Sequence, residues 1–175
     1  EYVPFPLIGI IEGADKEIVD YSFSSEGAYL VNLTVTDDED ETSWKEDTVT
    51  VKKPAVVLVH GFQGDGGFNP DKNWSAMNRT LSEAGFDVYI ASYAPTDRAT
   101  NGPIQTYAEN LEEEVNWARY KYEVDKVDIV AHSMGGLVAR WYMEVMEGGD
   151  ERVRKLIMLE TPNHGGPSWI MKLFA

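Results

Sequence analysis

The sequence predicts an α/β protein with a mostly parallel sheet and helices on both faces, preceded by a small antiparallel β segment. In the first part of the 175-residue chain, from Ile18 to Val51, apolar and polar residues alternate between turn-forming stretches. This pattern is typical of antiparallel strands with one buried face. From Ala55 onward, continuous apolar runs alternate with helical repeats, which indicates βαβ units and a sheet covered on two sides. We therefore divide the chain into residues 1–53 and 54–175.

The antiparallel segment contains strand patterns separated by an acidic turn, Asp37–Glu41, and closes with Thr48–Val51. The acidic turn has side-chain oxygens that suit calcium, but it lacks the spacing and the glycine of an EF-hand loop. We therefore interpret it as a solvated hairpin turn. The strand before it carries apolar residues at every second position, and these are Tyr29, Val31, Leu33 and Val35.

In the second segment, strand and helix patterns follow one another in a regular order. Helical spacing of apolar residues predicts helices over 76–84 and 104–122, and a third that ends near Gly148-Gly149. The apolar runs predict strands at Ala55–His60, Phe86–Ser92, Val127–His132 and Lys155–Leu159.

One strand pattern runs directly into a helical pattern at Ser133. The apolar run Val127–Ala131 precedes this residue, and Gly135 and Gly136 follow it. A strand that turns into a helix within one residue tolerates little side-chain bulk around the turn. The pattern predicts a strained turn that exposes the Ser133 hydroxyl at a helix N-terminus, as in a nucleophile elbow. A plain strand–turn–helix connection with an incidental serine is the alternative.

A glycine-rich loop follows the first strand of the second segment and begins with His60, Gly61 and Phe62. The glycine lets the backbone approach a substrate closely. A serine nucleophile needs two backbone N–H groups that stabilise the oxyanion of the intermediate. With Ser133 as the nucleophile, the predicted donors are the N–H groups of Phe62 and Met134. An ordinary strand-to-loop turn is the alternative.

These motifs, in this order, resemble those of α/β-hydrolase lipases and esterases. Val59–Phe62 is similar to their oxyanion loop, and Ala131–Gly136 is similar to the elbow of lipases that carry alanine in place of the first glycine. Leu159–Gly166 resembles their Gly-Thr-Pro loop, with Glu160 where glycine is usual. The resemblance covers residues 54–168 and implies an α/β-hydrolase-type sheet and ester hydrolysis by a serine nucleophile.

The resemblance also implies how the remaining site residues act. In this family the triad order is serine, acid, histidine, which places the acid and the histidine beyond residue 175. A triad of Ser133, Glu160 and His164 is the alternative, although an acid and a base so close in sequence have little reach. The residues that support the motifs without acting as the base are His60, Gly61, His132, Gly135 and Gly136.

The first segment resembles the C-terminal half of a PKD domain, an immunoglobulin-like β-sandwich often attached to secreted microbial hydrolases. The resemblance rests on the run Tyr21–Asp37 and the closing strand Val49–Val51, while the family's upstream Trp-x-Phe-Gly-Asp-Gly signature is absent. It implies a partial PKD-like module and a secreted protein. The three strand patterns are too few to bury a sandwich core by themselves.

Composition limits the other classes of function. The formal net charge of -15 disfavours nucleic-acid binding, and no long apolar run predicts a transmembrane helix. The serine machinery calls for no cofactor and no metal. We predict a carboxylic-ester hydrolase that acts on small-molecule or lipid esters, with contact to a lipid interface. Phospholipid or thioester cleavage is an alternative, as is a non-catalytic binding module. Trp169–Phe174 is expected to form a lid, an acyl-binding wall or a packed helix.

Overall fold

The computed structural model describes Phe23 and residues 25–62, 69–93 and 102–165. The chain divides into two compact units, residues 1–53 and 54–175, which are described separately. Two of the sequence predictions lie outside the described residues: the alternating residues before Phe23 and the apolar segment Trp169–Phe174.

The first unit contains an antiparallel hairpin of β1 (Gly27–Thr36) and β2 (Thr42–Val51). The acidic turn lies between them, where Asp37 Oδ1 accepts the backbone N–H groups of Glu39 and Glu41, both at 2.9 Å. The prediction of one buried face is wrong for this hairpin, because its apolar residues are widely exposed. A two-stranded sheet supplies no second layer to cover them. The exposed fractions are 39% for Val31, 61% for Leu33 and 57% for Val35.

The second unit is a four-stranded parallel sheet with helices between its strands, as predicted. The spatial order of the strands is β4-β3-β5-β6. In chain order the elements are β3 (Ala55–Val59), α1 (Pro70–Glu83), β4 (Val88–Ile90), α2 (Ile104–Tyr122), β5 (Val127–His132), α3 (Met134–Val145), α4 (Gly149–Arg152) and β6 (Val153–Leu159).

The helices cover both faces of this sheet, because the residues of its central strands alternate between the two sides. Val57 and Val59 of β3 pack with α2 and α3. Val56 and Leu58 point the other way and pack with α1, whose Trp74 is buried against them. All five residues of β3 are buried, which explains its uninterrupted apolar sequence.

Several boundaries differ from the sequence prediction for local reasons. Helix α1 begins at Pro70 instead of near residue 76, because Asn69 caps it by accepting the Lys72 N–H at 3.1 Å. The helix after the elbow ends at Val145, and the short α4 contains Gly149. Strand β4 keeps only three residues of the predicted strand. No helix among the described residues is long and apolar enough to cross a membrane.

Candidate active site

Ser133 lies in a strained turn between β5 and α3. Its φ of 53° and ψ of −124° fall in a region that residues with side chains rarely adopt. Its N–H donates to the carbonyl of Leu159 at 2.8 Å, and its own carbonyl accepts the N–H of Gly136 at 3.1 Å. These bonds tie the turn to the end of β6 and to the first turn of α3. The strained backbone of the sequence prediction is therefore present at this residue.

The glycines around the turn are required by close contacts with other parts of the chain. A Cβ atom at Gly61 would lie 2.8 Å from the Cβ of Ser133, so the loop after β3 touches the turn directly. A Cβ at Gly135 would lie 2.9 Å from the carbonyl oxygen of Val59 and still closer to that of His60. At Gly136 it would overlap the side chain of Thr161. The absence of side-chain bulk thus lets the loop after β3, the start of α3 and the residue Thr161 after β6 approach one another closely.

His60 orients the loop that follows β3. Its side chain is buried, and its Nδ1 lies 2.8 Å from the carbonyl oxygen of Gly61. A carbonyl only accepts hydrogen bonds, so Nδ1 carries the proton. A peptide group is planar and trans, so the N–H of Phe62 points away from the Gly61 carbonyl that His60 holds. The imidazole therefore fixes the direction of the Phe62 N–H.

Burial lowers the pKa of His60, because a charged imidazolium loses its hydration there, and the bond to the Gly61 carbonyl opposes this effect in part. His60 is accordingly neutral near pH 7. The bond to the Gly61 carbonyl requires a proton on Nδ1, which the neutral and the charged ring can both carry, and burial favours the neutral ring. This residue is a structural donor to the loop.

The two predicted oxyanion donors occupy different backbone settings. Met134 is the first residue of α3, where N–H groups have no acceptor within the helix. Its side chain is buried in the core, so the N–H end of the helix is held firmly. Phe62 follows Gly61, the residue in contact with Ser133, and its ring packs partly against the same core. Both residues are thus adjacent in sequence to the contact between the loop and the turn.

The other ionisable residues near Ser133 form an exposed pair. His132 Nε2 lies 3.6 Å from Glu160 Oε2, with 49% and 88% of their side chains exposed. Glu160 takes a left-handed φ of 53°, a conformation that suits the glycine usual at this position. His164 lies exposed in the following turn. The alternative triad of Ser133, Glu160 and His164 stays a prediction.

Sequence reasoning missed Tyr93, which lies just after β4 against the loop. Its hydroxyl donates to the carbonyl of His60 at 2.6 Å. A signal for it existed, because residues that follow parallel strands meet at one edge of a sheet. Among the described residues, no group of three or more histidine or acidic side chains is placed to hold a metal ion.

Comparison with known proteins shows which family this chain belongs to. The sequence profile described as "alpha/beta hydrolase fold" matches residues 54–174. A triacylglycerol lipase of Pseudomonas fragi is 24% identical over 120 residues, and one of Pseudarthrobacter phenanthrenivorans is 29% identical over 122 residues. These alignments cover 69% and 68% of the chain, but only 38% and 36% of the relatives. The chain thus spans between a third and two fifths of the length of these curated relatives.

Solved structures show the same fold. A Bacillus licheniformis lipase in its mature form superposes with a TM-score of 0.55 and 19% identity, covering 84% of this chain and 53% of that one. An Aspergillus fumigatus lipase gives a TM-score of 0.52 and 21% identity, covering 65% of this chain and 25% of that one. At these identities the structures support the architecture of the sheet and its helices.

Proposed function

We propose that this chain, which belongs to the alpha/beta hydrolase fold family, is part of a serine ester hydrolase of the lipase type. In this proposal it carries the nucleophile and the oxyanion hole of that enzyme. The observation that carries the proposal is the strained backbone of Ser133 at the start of α3, in contact with the glycine loop after β3. Relatives named triacylglycerol lipase support carboxylic esters as the substrate class.

In the proposed reaction, the Ser133 hydroxyl attacks the ester carbonyl and loses its proton to a histidine base. The carbonyl oxygen becomes an oxyanion and accepts hydrogen bonds from the N–H groups of Phe62 and Met134. The start of α3 adds the positive end of its helix dipole. Collapse of the intermediate releases the alcohol, which takes the proton, and water then hydrolyses the acyl-enzyme.

We place the histidine base and its acid in sequence downstream of residue 175. Nδ1 of His60 donates to the Gly61 carbonyl, and Nε2 of His132 faces the Glu160 carboxylate at 3.6 Å. The relatives are more than twice as long as the matched region, which leaves room for both groups. Serine, acid and histidine then follow in the order that this fold uses.

Labelling with a fluorophosphonate, followed by intact-mass analysis, tests the proposal. The protein that includes its downstream sequence should gain one adduct, and Ser133→Ala should gain none. Ser75→Ala serves as the matched control, because Ser75 is an exposed serine on α1 that donates only to the Lys72 carbonyl. A parent protein without an adduct, or a Ser133→Ala variant that still labels, would contradict the nucleophile assignment.

The position of the base is tested by the same reaction on residues 1–175 alone. Without its base, a serine nucleophile keeps only a small residual reactivity, so labelling should be slower by about two orders of magnitude or more. Equal rates for the two proteins would show that the base lies within residues 1–175, and Glu160 with His164 would then be the first pair to substitute.

We further propose that the hairpin β1–β2 belongs to a partial PKD-like module and that the protein acts outside the cell. The alternating strand Gly27–Thr36, paired over its full length with Thr42–Val51, supports this assignment. The resemblance to a PKD domain implies a secreted protein, and the relatives named triacylglycerol lipase support an ester substrate. Fractionation of producing cells tests it, with the protein expected in the culture medium; retention in the cell pellet would contradict it.

A further inference from the structure

Tyr93 contacts the loop after β3 in two ways. Its hydroxyl donates to the His60 carbonyl at 2.6 Å, and its ring stacks on the His60 imidazole with centroids 4.3 Å apart and planes 21° apart. The side chain is fully buried, and burial raises the pKa of Tyr93, so the hydroxyl stays protonated and remains a donor at all working pH values. The same residue thus holds both the backbone and the side chain of His60.

Tyr93 is itself held by helix α2. The side-chain amide of Asn110 donates to the Tyr93 carbonyl at 2.9 Å, and the ring of Tyr107 meets the Tyr93 ring edge-on with centroids 6.0 Å apart. Asn110 and Tyr107 lie in a helix of 19 residues that is buried along one side. The tyrosine is therefore a rigid bridge between α2 and the loop.

Two consecutive peptide groups transmit this rigidity to the proposed oxyanion hole. The His60 carbonyl shares a peptide plane with the Gly61 N–H, so the Tyr93 hydroxyl orients the first plane. The His60 ring holds the Gly61 carbonyl, which shares the next plane with the Phe62 N–H. Stacking by Tyr93 fixes the ring that makes this second bond.

We infer that Tyr93 is a positioning residue for the Phe62 N–H in acyl transfer, an inference that rests on the proposed function. The residue touches no reacting atom and acts only through His60 and Gly61. A merely structural tyrosine would contribute to stability and leave catalysis per folded molecule unchanged. Tyr93 instead keeps the peptide group of the Phe62 N–H aligned before the oxyanion forms. A donor that had to reorient during the reaction would add to the activation barrier.

The test deletes a single hydroxyl in two matched variants. Tyr93→Phe keeps the stacked ring and removes the hydrogen bond to His60. Tyr122→Phe removes an equivalent bond, because the Tyr122 hydroxyl donates to the backbone carbonyl of Val88 at 2.7 Å. Val88 begins β4, at the end of that strand opposite to Tyr93. The two variants therefore compare the same chemical change at the two ends of one strand.

In the protein with its downstream sequence, Tyr93→Phe should lower the rate of Ser133 labelling and kcat about tenfold with KM nearly unchanged. The oxyanion exists only in the transition state and intermediate, so a misaligned donor reduces kcat. Removal of the donor itself would cost about 10²–10³-fold. Tyr122→Phe should stay within about twofold of the parent. Equal rates for Tyr93→Phe and Tyr122→Phe would overturn the inference.

Amide NMR of residues 1–175 separates this inference from the proposed function. Tyr93→Phe should shift the Gly61 and Phe62 amide resonances and speed their hydrogen exchange, whereas Tyr122→Phe should leave both unchanged. Unchanged amides in Tyr93→Phe would overturn the positioning role even if Ser133 labels normally. If the parent never labels, the nucleophile assignment fails, while the amide comparison still decides whether Tyr93 orients the loop.

Discussion

The hairpin β1–β2 and the central strand β3 both contain valine and leucine side chains, but these side chains lie in opposite environments. Val31, Leu33 and Val35 of the hairpin are between 39% and 61% exposed, whereas Val57 and Val59 are fully buried. The difference lies in the layers around them. Strand β3 has a strand on each side and helices on both faces, while within the described part of the chain β1 pairs with β2 alone. Burial is thus decided by what the rest of the chain supplies.

The comparison explains why the candidate site is found in the second unit. A non-glycine residue held at the Ser133 backbone angles costs about 1–3 kcal/mol, so it persists only where the surroundings enforce it. The carbonyl of Leu159, the N–H of Gly136 and the contact with Gly61 enforce it here. A hairpin with two exposed faces has no such constraints to offer.

The largest expected effect comes from adding one methyl group where β3 meets α3. In Gly135→Ala, the new Cβ would collide with the carbonyl oxygens of Val59, the last residue of β3, and of His60, which follows it, and both are backbone atoms. Relief requires α3 to move away from β3 and carries Ser133 with it. We expect the free energy of unfolding of the second unit to fall by about 3 kcal/mol or more.

Urea unfolding followed by circular dichroism measures this loss. Gly102→Ala is the matched control, because the nearest atom to its added Cβ is the hydroxyl at the far end of the Tyr107 side chain at 3.0 Å, whereas at Gly135 the nearest atoms belong to the backbone. The control should lose less than about 1 kcal/mol. A Gly135→Ala protein as stable as this control would mean that the contact between α3 and β3 is looser than the structure has it.

The parts of the molecule that the sequence predicts well depend on local pattern. The strained turn at Ser133 could be predicted because an apolar strand, a small-residue turn and a helix follow one another in sequence, and the glycines at 135 and 136 mark the close approach of other chain segments. The buried strand Ala55–Val59 was equally readable, since an apolar run without alternation indicates cover on both faces.

The parts that it could not predict depend on which segments meet in space. The exposure of Val31 follows from the absence of a covering layer in the described part of its unit, which alternation alone cannot reveal. The bridge from Tyr93 to His60 joins residues 33 positions apart. The pairing of Glu160 with His132 depends on the register between β5 and β6. None of these three features is marked by a pattern among residues that are neighbours in sequence.

The next largest expected effect concerns His60, which should make the free energy of unfolding of the second unit depend on pH. Its pKa is lowered in the folded protein, so below the unfolded value of about 6.5 the unfolded chain binds a proton that the native state does not. The contribution of neutral His60 to the free energy of unfolding is then fully present above that pH, and it is lost as the pH falls toward the pKa of His60 in the folded protein. The slope for this group is at most about 1.4 kcal/mol per pH unit.

Urea titrations at pH 7, 6 and 5 on the parent and on His60→Gln measure this contribution. The variant loses the titrating group, so the difference in unfolding free energy between the two proteins should shrink as the pH falls. A difference that stays constant from pH 7 to pH 5 would mean that His60 binds its proton equally well in the folded and unfolded states.

The smallest expected change in stability is the one at Val35, and its contrast with Val57 tests the comparison between the two regions directly. Val35→Thr and Val57→Thr exchange the same methyl for a hydroxyl, at an exposed position of β1 and a buried position of β3. At Val57 the hydroxyl enters an apolar core, and an unpaired polar group there costs about 1–3 kcal/mol. At Val35 it stays in water, so the free energy of unfolding should change by less than about 0.5 kcal/mol. Hydrogen exchange of the β1 amides reports the hairpin and urea unfolding reports the sheet. A loss at Val35 as large as that at Val57 would show that a further layer covers the hairpin in solution and that the two regions are alike after all.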